Sequence, residues 1–413
     1  MKLGLENIRK LLEALGNPQN NYLKVQVAGT NGKGSVCAFL DSICNAAGIH
    51  AGSFTSPHLI SITERIRING GDIREKNFSK YATLVREAAE SLLAEGELEY
   101  LPTFFEQVTA IALIAFADAG VELAILETGL GGRLDATTAA NAEIAAITRI
   151  DLDHQEYLGY TLTDIALEKV AIIRSDSKVI ALHQSREVEQ AISGRCREVG
   201  VEPIWTPKAV EIKDVPVILP TLYGSIQTSK TLYKGLEFWD MLGKHQFEDA
   251  ALAIEVAELL GDYAFNMSTE RISIGLMNAR NPGRLEYMGK FLFDGAHNVG
   301  GAKALASYLA EFERQPITLV FGAMHGKDVA EMIKMLFSAA ARIVLTAPDN
   351  SRALTCDELI EILPDEISRK NSVTNAIEIA ETITPDDNII LVTGSLYLVG
   401  DVKKILATSS QNC

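Results

Sequence analysis

The sequence predicts an α/β protein with two parallel sheets and a small strand-rich excursion in its first half. Three observations lead there. Short β-rich runs alternate with helical patterns, first up to about residue 200 and again after residue 290. An Asn281-Pro282-Gly283 break separates the two series. The 413 residues exceed one core of ordinary size. The expected division is residues 1–280 and a smaller α/β unit at 281–413.

The elements follow in order. LGLENIRKLLEALG places Leu5, Ile8, Leu11, Leu12 and Leu15 at helical spacing with acidic residues between them. This reads as an amphipathic helix, not a signal peptide. YLKVQVAG reads as a strand and SVCAFLDSICNAAG as a helix. VTAIALIAFADAG is a helix, followed by the strands VELAILE, AEIAAITRI and SKVIAL. From Pro203 to Gly235 the helical period fades, and Pro203, Pro207, Pro216 and Pro220 accumulate. That stretch is read as the strand-rich excursion, and HQFEDAALAIEVAELLG as the helix after it. Beyond Gly283, KFLFDGA, PITLVFGA, ARIVLTA and NIILVTG read as strands with helices between.

The bulk composition excludes several classes. The net charge of −16 argues against a general nucleic-acid binder. The longest strongly apolar run, near VTAIALIAFA, is too short to span a bilayer. Cys37, Cys44, Cys196, Cys356 and Cys413 are odd in number and show no metal-site spacing. They fit a reduced, cytoplasmic protein.

The chemistry begins at VQVAGTNGKGSVCAFL, a strand running through glycines into a helix start. Backbone N–H groups and the helix dipole at such a junction suit an anion. Lys33 can add a point charge, and Ser35 a hydroxyl near Mg²⁺. The loop departs from the generic phosphate-loop pattern, because Gly34 stands between Lys33 and Ser35. A tight turn with an incidental lysine is the alternative. Three more strand ends carry polar groups: Glu127 after VELAILE, Asp151, Asp153 and His154 after AEIAAITRI, and Ser56 and His58 in AGSFTSPHL. In a parallel sheet all four ends share the edge where ligands bind. Glu127 reads as a Mg²⁺ ligand or as a cap on the next turn. His154 reads as a ligand or as a hydrogen-bonded surface histidine.

TNGKGS, FTSPHL, TERIRING, ETGLGGRLDATT, LDHQEYLG, LEKVAII, GKHQFEDA, NPGRLE, DGAHN, FGAMHGKD and GSLYLVG occur in the order seen in folylpolyglutamate synthases and dihydrofolate synthases. These are ATP-dependent ligases related to the Mur ligases, and the resemblance covers nearly the whole chain. It implies a P-loop ATPase domain followed by a Rossmann-like α/β domain. It implies that Gly29, Thr30, Asn31, Gly32, Lys33, Gly34 and Ser35 hold the ATP phosphates. It implies metal ligation by Ser56, Glu127 and His154, a carbamylated Lys169, and ATP contacts from His245, Gln246, Arg284 and Asp294. His297, Ser395 and Tyr397 would face the glutamate end of an interdomain cleft. Phe104, Phe105 and Glu106 would form the pterin side. Three residues depart from the family pattern: Val170-Ala171 after Lys169, Asp249 where an Asn is usual, and Gly326 where an Asp is usual.

The implied reaction is amide formation. ATP phosphorylates a folate-type carboxylate, and L-glutamate displaces phosphate from the acyl phosphate. The substrates implied are dihydropteroate or tetrahydrofolate polyglutamates, with bifunctionality favoured and a monomer expected. A Mur-type ligase with another substrate is the competing reading. That class usually carries an additional N-terminal domain, for which a loop beginning near residue 29 leaves no room. A nucleotide-binding scaffold without turnover is the reading from a different class.

Overall fold

The computed structural model describes residues 4–207, 210–213, 222–312, 315–362 and 373–410. Its main sheet has eight strands: β1 (Leu23–Ala28), β2 (Ala51–Phe54), β3 (Ile66–Ile68), β4 (Gly71–Asp72), β5 (Leu123–Glu127), β6 (Ile144–Ile147), β7 (Lys178–Ala181) and β8 (Pro203–Trp205), in the order β4-β3-β2-β5-β1-β6-β7-β8. From β2 to β8 across the sheet every pairing is parallel. The β3 and β4 strands add an antiparallel edge.

Alternation along each strand divides the core. Leu123 and Ile125 of β5 face the same cluster as Val25 and Val27 of β1 and Ile144 and Ala146 of β6. Helices Lys33–Ala47, His245–Leu260 and Thr269–Asn278 cover that face. Ala124 and Leu126 point the other way, toward helices Glu6–Ala14, Glu75–Ala94 and Phe104–Ala119. The buried Ile8, Leu11 and Leu12 are the inward stripe expected of the first helix.

The strand-rich excursion is displaced from its expected start. Pro203–Trp205 pairs with β7 as the last strand of the main sheet, where an edge tolerates a proline without an N–H. The separate antiparallel sheet comprises β9 (Val210–Lys213), β10 (Leu222–Gln227) and β11 (Leu232–Phe238). Pro216 and Pro220 lie outside the described residues, as does Cys413. The second series builds β12 (Glu286–Met288), β13 (Phe291–Phe293), β14 (Ile317–Phe321), β15 (Ala340–Leu345) and β16 (Ile389–Thr393), in the order β12-β13-β16-β14-β15. All its pairings except β12–β13 are parallel. Among the described residues, no helix is long and apolar enough to cross a membrane.

Two helices behind the main sheet meet at backbone distance. A Cβ placed on Gly275 would lie 2.4 Å from the Cα of Ile43. Ser42 reinforces the approach by donating to the Gly275 carbonyl at 2.7 Å. Gly275→Ala must therefore push these helices apart, at a cost of about 1–3 kcal/mol. The expected result is a lower urea midpoint with an unchanged denaturant slope. An unchanged midpoint would show that the contact gives way freely.

Candidate active site

A cleft of about 720 Å³ opens between the carboxyl ends of the two parallel sheets. Every candidate site residue lines it except Gly29, which lies just beneath. Gly29 must be glycine, because a Cβ there would lie 1.8 Å from the Thr148 hydroxyl. Gly32 adopts φ +89° and caps helix Lys33–Ala47. The first bond into that helix runs from Val36 N–H to Gly32 O at 2.9 Å. The N–H groups of Lys33, Gly34 and Ser35 thus have no helical acceptor and face the cleft. Thr30 and Asn31 donate instead to Arg149 O, at 2.7 and 3.1 Å, which ties the loop to the end of β6.

Two lysines converge on one carbonyl. Lys33 Nζ donates to Gly29 O and Thr30 O, both at 3.0 Å. Lys169 Nζ donates to the same Gly29 O at 2.8 Å. Burial, and then the Lys33 charge, bring the Lys169 amine down to about 7. Glu127 ends β5 almost fully buried, and Ser56 N–H donates to its Oε2 at 2.8 Å. No lysine or arginine lies within ion-pair distance of it among the described residues. Burial raises its pKa, against the pull of Lys33, the Ser56 N–H, Arg284 and Arg65. A buried carboxylate beside a serine suits a hard cation, whose charge would hold it ionised. His154 sits on the same wall, and burial lowers it to about 4, leaving a neutral imidazole able to ligate. Its Nε2 lies 3.3 Å from Lys327 Nζ. No group of three or more His, Cys, Asp or Glu side chains gathers around a metal-sized space among the described residues.

A polar network joins the two sheets. Lys327 donates to Asp153 Oδ1 at 2.6 Å. Asn298 donates to Asp153 Oδ2 at 3.0 Å and to Asn31 Oδ1 at 3.1 Å, and Asn31 donates to Asp151 at 2.7 Å. Burial works against the Asp153 charge, but Lys327, His154 and His297 hold its carboxyl far below the usual range.

The remaining candidates occupy the opposite wall. His245 and Gln246 open helix His245–Leu260, and burial followed by Arg284 brings His245 down to about 4. Gln246 Oε1 is buried without a hydrogen-bond partner among the described residues. Arg284 has no carboxylate in ion-pair range among the described residues. Both oxygens of nearby Asp294 accept backbone N–H groups, from Leu285 and Ala296. His297 donates through Nδ1 to Gly295 O at 2.8 Å in its neutral form, since burial and Lys327 lower it to about 4. Ser395 Oγ accepts the Tyr397 N–H at 3.1 Å, capping the last helix.

On the aromatic side the three candidates separate. Glu106 completes a capping box, accepting the Thr103 N–H at 2.7 Å, so its carboxylate starts its own helix. Phe105 packs on Phe54 at 5.8 Å and against Gly129. Phe104 is the most exposed of the three, at 57%. Arg65, Lys327 and Asn298 had no role in the sequence reading, and Asp153 was placed only at the polar strand ends; the motifs containing them were visible, but their convergence was not.

With the geometry in hand, comparison with known proteins is decisive. Residues 27–257 match the Mur ligase middle domain, and residues 283–405 match the C-terminal domain of dihydrofolate synthetase. A dihydrofolate synthase/folylpolyglutamate synthase of Bacillus subtilis is 33% identical, covering 98% of this chain and 95% of that protein. The chain belongs to the dihydrofolate synthase/folylpolyglutamate synthase family. A probable bifunctional folylpolyglutamate synthase/dihydropteroate synthase of Haloferax volcanii is 35% identical over 98% of the chain, which spans only 48% of that longer protein. The Mycobacterium tuberculosis folylpolyglutamate synthase complexed with ADP and AMPPCP has a TM-score of 0.90 at 29% identity, covering 98% of this chain and 95% of the other. An Escherichia coli FolC in complex with DHPP and ADP has a TM-score of 0.87 at 28% identity, covering 99% and 94%.

Within this family site, the unusual Asp249 presses on the loop. A Cβ on Gly32 would lie 2.3 Å from its Oδ1. Burial, followed by Glu248, raises the Asp249 carboxyl from 3.8 to about 7. A raised carboxyl pKa favours folding while the group is protonated, and that contribution is lost as pH rises through about 7. Asp249→Asn removes the loss. The variant should gain stability over the parent by up to ~4 kcal/mol at pH 8.5, with the gap shrinking toward pH 5. Thermal melts across pH check this; a gap independent of pH would refute the shifted titration.

Proposed function

We propose that the chain joins L-glutamate to a folate-type carboxylate at the expense of ATP, using both dihydropteroate and tetrahydrofolate polyglutamates as acceptors. The observation that carries this reading is the convergence of the loop N–H groups, Lys33, Glu127 and the unpaired Arg284 on one cleft. The family's enzymes are ATP-dependent ligases, and the loop offers its free N–H groups to the phosphates. Lys33 and Arg284 stabilise charge on the phosphoryl group as it passes to the acceptor carboxylate. The glutamate amine then attacks the acyl phosphate and phosphate departs. Ser56, Glu127 and His154 would hold Mg²⁺, which when bound supplies neutralisation of phosphate charge. The cleft between two sheets keeps the acyl phosphate from water. His245, Gln246 and Asp294 belong to the nucleotide side; His297, Ser395 and Tyr397 belong to the glutamate side. The boundary between the two units falls at 280/281. A cytoplasmic protein fits the free thiols of Cys37, Cys44 and Cys196, and a monomer is the expected state.

The decisive assay follows ADP release with glutamate and each pterin in turn. Stimulation by both acceptors is expected; stimulation by neither overturns the reading. Glu127→Ala should lose at least ~10²-fold in turnover while its melting curve stays cooperative. Near-parental activity would remove Glu127 from the site.

Lys169 is the proposed site of a carbamate. An amine near 7 is largely neutral above that pH and can attack CO₂. With ¹³C-labelled CO₂ held constant, a carbamate resonance should grow between pH 6 and pH 8 and be missing from Lys169→Arg. A resonance that persists in the variant would place the carbamate elsewhere.

A further inference from the structure

Arg65 is a buried arginine without a counter-ion among the described residues. It ends the short turn Ile62–Arg65 ahead of β3, lines the cleft and is only 8% exposed. Its guanidinium lies 5.5 Å from the Phe104 ring centre. No carboxylate lies within ion-pair distance of it among the described residues. The nearest in sequence, Glu64, is already committed: it accepts the N–H groups of Leu59, Ile60 and Ser61, at 2.7, 2.9 and 2.6 Å.

The orientation of Arg65 is fixed from behind. Its Nε donates to Nδ1 of His58 at 2.8 Å. That bond requires a neutral His58 with its proton on Nε2, so that the Nδ1 lone pair accepts. Thr55 N–H donates to the Arg65 carbonyl at 3.0 Å, closing the loop on itself. The side chain is therefore held at one end by His58 and steadied on its face by Phe104. Tyr397 and Glu127 are the groups whose charge most favours its cationic form, against the larger effect of burial. Arg65 thus stands between the exposed aromatic ring and the Glu127 end of the cleft. A buried guanidinium with spare donors is costly until an anion fills it, and its planar fork matches a carboxylate.

We propose that Arg65 receives the carboxylate of the acceptor substrate, with His58 as the residue that positions it. The inference rests on the folate-ligase reading and adds the group that recognises the acceptor. The pterin ring would lie toward Phe104 and its carboxylate on the guanidinium, next to the phosphoryl-transfer end. The loop N–H groups, Lys33 and Arg284 remain for the nucleotide.

The test compares binding of dihydropteroate with that of the same pterin lacking its carboxylate, in the presence of an unreactive ATP analogue. The parent protein should prefer the carboxylate form by at least ~30-fold. Arg65→Gln should reduce that preference to below about threefold while leaving analogue affinity within about twofold. Arg65→Lys should recover only part of it, since an ammonium lacks the fork. His58→Ala should raise the acceptor KM, and His58→Asn, which can still accept at the Nδ1 position, should restore most of the loss. An unchanged carboxylate preference in Arg65→Gln overturns the proposal and leaves the ligase reading intact. Failure of the parent protein to bind either pterin overturns both. Equal acceptor KM values for His58→Ala and His58→Asn would overturn the positioning role.

Discussion

The Gly29 carbonyl oxygen is the point on which the site is built. It accepts two lysine ammonium groups from different parts of the chain, in a place where water is largely excluded. One carbonyl cannot neutralise two cations, so the pair needs anions nearby or must shed a proton. The surroundings provide for both. Glu127 lies within electrostatic reach of Lys33, and Lys169 is drawn down toward neutrality. The register of β1 between β5 and β6 sets this up, bringing Val27 beside both Glu127 and Ala146. A shift of one residue in either pairing would turn the loop's partners to the other face.

The same economy governs the rest of the cleft. Histidines 154, 245 and 297 are all kept neutral by burial, with neighbouring cations adding to the effect. Arg284 and Arg65 have their charges but, among the described residues, not their counter-ions. A cleft that holds cations and buried carboxylates outside ion-pair range of one another, among the described residues, is arranged around charges that arrive with the substrates. Asp153 is the exception. It is satisfied within the protein by Lys327 and Asn298, and its work is to hold the two sheets together.

The fold was largely legible in the sequence because its signals are local. Strand alternation, the glycine turn and the polar strand ends each fit within a dozen residues, and a parallel sheet forces those ends onto one edge. The start of the excursion was misplaced because Pro203 looks like a breaker, and only pairing shows that its strand is an edge. Within the site, Lys33, Glu127 and Lys169 could be singled out from motif and resemblance. Glu106 could not be resolved, since a capping carboxylate and a ligand-binding one look alike until the helix start is seen. The Lys327–Asp153 pair joins positions 174 residues apart. Arg65 is conspicuous only once Glu64 is seen to be occupied elsewhere. Both depend on which partner wins a charge, and a linear pattern does not record that competition.

The segment after β2 carries more than side chains. Its Ser56 amide is bonded to Glu127, and further along the carbonyl of Leu59 meets Gly400 so closely that a Cβ there would lie 2.1 Å away. Gly283 presses on the Leu59 side chain as well. One end of a four-residue span thus touches the second sheet's last helix, and the other end touches the carboxylate at the base of the cleft. A rotation of the two halves would be felt at Glu127 through main chain alone, as a lever transmits motion at its fulcrum. In such a design the geometry around the reacting groups is a readout of how far the cleft has shut.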